Sequence, residues 1–123
     1  MFEQINHNVL KALLGTLSAV ALGLSLSTNA YAGVQEGTIN VLYVRASDGL
    51  VWVELTGAAT DKPACAKGHS YWMVKDENSA AGKKQLAMLL LAQATGKKIV
   101  ISGSGACTRW SDGEDIETVG LNQ

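Results

Sequence analysis

A chain of 123 residues with ten basic and eleven acidic side chains carries a net charge of −1. That balance offers no basic surplus to attract nucleic acid or an anionic membrane surface. The length suits one small domain, whose core would be only marginally large enough without a covalent staple.

The first element is not part of a fold. Residues 12–26, "ALLGTLSAVALGLSL", are uncharged and apolar, follow Lys11, and lead to Ala30-Tyr31-Ala32, an A-x-A cleavage pattern. These features predict a signal peptide over residues 1–32, cut before Gly33, and a secreted or periplasmic product. The run is too short to span a bilayer comfortably, so no membrane span is expected after cleavage. Removing 32 of 123 residues leaves 91, residues 33–123, as a single domain; Glu3 and Lys11 leave together, and the charge stays at −1.

Thr38–Arg45, "TINVLYVR", and Leu50–Leu55, "LVWVEL", read as strands joined by a hairpin turn at Asp48-Gly49. In the second, alternation puts Val51, Val53 and Leu55 on one face and Trp52 and Glu54 on the other. A loop over residues 57–68 holds Cys65, and His69–Val74 reads as a third strand. Asn78 or Ser79 can cap a helix from about Ala80 to Thr95, and Gly96 sits where a left-handed C-terminal cap belongs. Lys98–Ser102 and Asp115–Leu121 complete the set. Three strands, one helix and two strands, β-β-β-α-β-β, is the chain order of the OB-fold, a small five-stranded barrel. The rival is an open antiparallel sheet with a helix across one face, and periodicity does not separate the two.

Cys65 and Cys107 are the only cysteines. In an oxidising compartment such a pair usually closes, which would supply the staple. Zinc is a poor competitor, because there is neither a C-x-x-C spacing nor a histidine pair. Gly96-Lys97 followed by Gly103-Ser104-Gly105 invites a phosphate-loop reading. It fails on order: phosphate loops run strand, glycine loop, helix, whereas this segment runs helix, glycine, strand.

The helix itself is unusual. Residues 86–92, "LAMLLLA", are apolar at seven consecutive positions and so cover nearly its whole circumference. If Leu86 and Leu90 face the barrel, the surface around Met88, Ala92 and Gln85 is left for a second partner, which predicts a homo-oligomer.

For catalysis the inventory is thin, with a single histidine, His69, in the mature chain. No enzyme activity, cofactor or metal is expected. The acidic cluster Asp112, Glu114, Asp115 and Glu117 lacks the ligand spacing of a calcium loop and reads as a solvated face. Trp52 beside Glu54, and Trp110 near Asp112, pair an aromatic ring that can stack on a sugar with a carboxylate that can hold hydroxyls. These four are the candidate ligand-binding residues.

"ACAKGHSYW" (Ala64–Trp72), Ser79 and Lys83 opening the helix, and "ATGKKIVI" (Ala94–Ile101) leaving it resemble the binding (B) subunits of AB5 toxins, of the type found in subtilase cytotoxin and typhoid toxin. The resemblance covers roughly residues 38–101. It implies a secreted OB-fold, a pentameric ring with helices around its pore, a cell-surface glycan as ligand and an enzymatic A subunit as partner. Two features depart from it. Family members pair the cysteine after the second strand with one inside that strand, and residues 50–55 contain none. A sugar-contacting serine of the family falls where this chain reads Gln35-Glu36-Gly37-Thr38. The sequence thus points to a non-catalytic binding module, with a stand-alone periplasmic OB-fold protein binding a small ligand or protein partner as the alternative.

Overall fold

The computed structural model describes residues 31–122. The expected signal peptide therefore lies outside the described residues, apart from Tyr31 and Ala32. The described chain is mainly β with one helix: β1 (Val34–Gly37), β2 (Ile39–Val44), β3 (Val51–Leu55), β4 (Tyr71–Met73), α1 (Ala80–Thr95), β5 (Ile99–Gly103) and β6 (Glu114–Leu121). A single 3-10 turn, Ala64–Ala66, lies between β3 and β4. The strands form one six-stranded sheet in the order β1-β5-β6-β4-β3-β2, with β4 parallel to β6 and the other pairs antiparallel.

Six strands replace the five expected, because β1 was not foreseen. β1 and β2 stand at opposite ends of the sheet, and their ladders do not join. Yet Thr38 alone separates them in the chain. Gly37 pairs with Ile99 of β5, whereas the Thr38 carbonyl accepts from Thr56 N at 2.9 Å, extending the ladder of β2 with β3. A Cβ on residue 37 would overlap the Thr56 carbonyl oxygen, so the chain can change partners here only with glycine.

The elements form for the reasons their sequences give. Val51, Val53 and Leu55 of β3 are buried, while Trp52 and Glu54 on the other face are half-buried. The Ser79 side chain caps α1 by accepting from Gly82 N at 2.9 Å, and Gly96 ends it in the left-handed region at φ 64°. One core cluster joins Val51, Val53 and Leu55 to Trp72, Val74, Leu89, Ala92, Ile99, Ile101 and Ile116. Trp72 is fully buried, and its Nε1 donates to Gln35 Oε1 at 2.7 Å, satisfying the ring's polar atom.

The rotation of α1 corrects the expected outward face. Leu86, Leu89 and Ala92 pack on the core, and Ala92 is completely buried; Leu90 and Leu91 are half-exposed, at 51% and 53%. Ala92 therefore belongs to the core, and Leu90 faces away from it. Met88 is half-buried, and Gln85 reaches β6 by donating to the Glu117 carbonyl at 3.2 Å. A core stripe at positions 82, 86, 89 and 92 has true helical spacing, but an unbroken apolar run carries no phase from which to read it.

Cys65 and Cys107 are bonded, with Cα atoms 6.3 Å apart. The bond ties the 3-10 turn between β3 and β4 to the loop between β5 and β6. No helix among the described residues is long and apolar enough to cross a membrane.

Candidate functional site

The outer face of β2, β3 and β4 carries aromatic rings. Tyr43, directly opposite Trp52 in the register, stacks on it with centroids 4.6 Å apart and planes 13° apart, and Tyr71 tilts against the same indole at 5.6 Å. The β5–β6 loop brings a second indole to this face. Arg45, Leu50, Trp52, Tyr71, Met73 and Trp110 line a cleft of about 250 Å3. Its floor is apolar, since Leu50 and Met73 are buried, and Trp110 at its rim is 42% exposed.

Charge fixes the rim. The Arg45 guanidinium lies 4.9 Å from the Trp110 ring centroid, within cation–π range. It grips Asp48 with two hydrogen bonds, Nε to Oδ1 at 2.8 Å and Nη2 to Oδ2 at 2.7 Å. Those bonds hold the Asp48 carboxyl well below the usual carboxylate range, helped by the Leu50 amide and by Arg109. Arg109 in turn bonds Asp48 at 3.2 Å and Glu77 at 2.9 Å, and Glu77 accepts from Val51 N at 3.0 Å. The loop that presents Trp110 is thus anchored to the β2–β3 turn and to the start of β3.

Asp112 accepts from the Tyr71 hydroxyl and has His69 Nε2 3.9 Å away. Burial pushes the Tyr71 hydroxyl up to about 12, and the bond to Asp112 acts in the same direction. The phenol thus keeps its proton across the physiological range. While it donates to Asp112, its oxygen can still accept from a ligand hydroxyl.

Of the four residues expected from the sequence, Trp52 and Trp110 meet in one cleft. Asp112 does not line that cleft and meets it only through the Tyr71 hydroxyl, from which it accepts. Glu54, on the same face as Trp52, accepts from Ser70 Oγ at 3.2 Å and does not line the cleft. Arg45, Tyr71, Leu50 and Met73 were missed. The alternation of "YWM" could have put Tyr71 and Met73 on Trp52's face, had the β3–β4 register, which sets Trp52 against Met73, been legible. The acidic cluster is corrected in part: Glu114 and Asp115 are fully buried, and only Glu117 is a solvated side chain among its last three members.

A larger hollow of about 490 Å3 lies between residues 57–62 and 67–70. It lacks a Trp or Tyr wall. Gln35 on its floor has spent its side chain on the Leu55 and Gly57 carbonyls and on Trp72, so the segment aligned with the family's sugar-contacting serine has no free donor in that side chain.

No protein-family model, curated protein or solved structure matches the chain.

Proposed function

We propose that the protein is an exported, non-catalytic binding module of OB type, and that the Trp52–Trp110 cleft receives a saccharide. The observation that carries the reading is the cleft itself: a half-buried indole, an exposed indole and a phenol over an apolar floor, rimmed by the Arg45 guanidinium, which holds the Asp48 carboxylate beside it. Aromatic faces stack on the C–H face of a sugar while charged and polar rim groups take its hydroxyls. At about 250 Å3 the cleft is smaller than the roughly 300–1,000 Å3 pockets that hold drug-sized ligands, which suits a terminal sugar.

The barrel reading is supported by β1 and β2 acting as two halves of one strand bent at Gly37-Thr38, one half paired to β5 and the other to β3. On that reading six strands become five, and the order of the sheet returns to the segment where it began. Export is supported by the disulfide, which belongs to an oxidising compartment, and by the A-x-A pattern before Gly33.

A glycan array probed with the mature protein tests the ligand class. Trp52→Ala should abolish array binding while circular dichroism stays native, because Trp52 lies outside the core. Unchanged binding by the variant would remove the cleft from the account. Tyr43 and Val44, 55% and 61% exposed beside the cleft, favour a protein partner as the second reading if the array is silent.

Assembly through the exposed side of α1 is part of the same proposal, with Leu90, Leu91 and half-buried Met88 at its centre. Five subunits and an enzymatic A subunit follow from the toxin resemblance alone. Leu91→Glu would bury an unpaired carboxylate between subunits. Native mass spectrometry should then show monomers where the wild type shows an oligomer, and a monomeric wild type at micromolar concentration would contradict the interface.

A further inference from the structure

Glu114, the first residue of β6, is completely buried. Its Oε1 accepts from Gly33 N at 2.9 Å and from Gly105 N at 3.0 Å, whereas its Oε2 has no hydrogen-bond partner among the described residues. A buried carboxylate with one oxygen unmatched calls for a counter-charge. Lys62 attracts Glu114 through charge but gives it no hydrogen bond: its Nζ donates to the Tyr71 carbonyl at 2.9 Å and lies 3.6 Å from the Trp72 ring centroid, so Oε2 still lacks a donor.

Gly33 is the residue that the A-x-A pattern makes first in the mature chain. It is buried, and its carbonyl accepts from Gly103 N at 2.8 Å, so its position is fixed by the sheet. A Cβ here would lie 2.6 Å from Glu114 Oε2 and 2.9 Å from Trp72 Cη2. Residue 33 thus lies against both carboxylate oxygens, and no side chain fits between.

We infer that Glu114 is the docking site for the chain's own new N-terminus, and that leader removal completes the fold. Hydrolysis of the Ala32–Gly33 bond by a leader peptidase delivers the hydroxyl of water to the Ala32 carbonyl carbon and its hydrogen to the Gly33 nitrogen. That nitrogen then takes a proton from solvent and becomes an α-ammonium. One neutral N–H donor becomes three charged ones, 2.9 Å from Oε1 and beside the unpartnered Oε2. The ion pair links the start of β1 to the start of β6. The precursor, with only an amide at this point, stays less stable until its leader is gone.

The inference rests on cleavage before Gly33, and the intact mass of the exported protein checks that step. A mature chain beginning elsewhere would overturn the proposal and leave the cleft reading untouched. The main experiment compares thermal unfolding of protein starting at Gly33 with protein starting at Tyr31, each as wild type and as Glu114→Gln. The Gly33 form should melt higher by about 5 °C, and the gap should vanish in Glu114→Gln. Equal midpoints, or a gap that survives the substitution, would overturn the pairing. Should Glu114→Gln not fold, acylation of the Gly33 α-amine by an acetylating ester at neutral pH decides on wild-type chains alone. It should be at least about tenfold slower in the folded protein than in urea, and equal rates would overturn the proposal.

Discussion

Replacing both Cys65 and Cys107 by alanine should lower the stability of the mature chain by about 4 kcal/mol, the chain-entropy value for their separation of 42 residues. A domain of this size holds a margin of only about 5–15 kcal/mol, so the loss would take much of it. The effect should extend to the site, because the bond fastens the loop that carries Trp110. Urea unfolding of the oxidised wild type and the double variant measures the difference, and thiol titration of the denatured, unreduced wild type should find no free thiol. An equal midpoint, or two titratable thiols, would show that the fold does not depend on this bond.

The second large effect belongs to Asp115, a fully buried carboxylate that organises the same loop. Its Oδ2 accepts from Thr108 N at 2.9 Å and from the Thr108 hydroxyl, and its Oδ1 accepts from Arg109 N at 3.0 Å. Every one of those contacts needs an acceptor. Asp115→Asn keeps the size but turns one acceptor into an NH2 facing a donor. Losing one or two bonds in a partly buried loop, with an NH2 left facing a donor, should cost about 2–4 kcal/mol. Arg109 would lose its register with Asp48 and Glu77, and with it the placement of Trp110 over Arg45. Denaturant unfolding reads the stability term, and ligand affinity at equal folded fraction reads the positional one. A variant as stable as the wild type would mean that the loop holds its shape without the carboxylate.

Local signals were legible and long-range ones were not. Of the two candidate caps Asn78 and Ser79 it is Ser79 that opens α1, and Gly96 closes it as expected, because capping depends on chemistry within one turn. The alternation of β3 identified Trp52 as an outer residue for the same local reason. β1 was missed because "VQEG" has one β-former, ends on a glycine and buries a glutamine, whose place is explained only by the Leu55 and Gly57 carbonyls and the Trp72 indole it meets. The burial of Glu114 and Asp115 escaped a reading in which charge clusters face water. Their partners are backbone amides of Gly33, Gly105, Thr108 and Arg109, gathered by the fold. The meeting of Trp52 with Trp110 likewise depends on β4 running parallel to β6, a pairing across 42 residues between Trp72 and Glu114.

The central claim is that a sugar ring sits between Trp52 and Trp110. A crystal structure of the mature protein with the saccharide that binds best on the array tests it most directly. The account predicts the ring stacked on at least one of the two indoles, with hydroxyls on Arg45, Asp48 or the Tyr71 oxygen. A saccharide seated in the larger hollow near Lys62 and Lys67, or an empty cleft at saturating ligand, would contradict it.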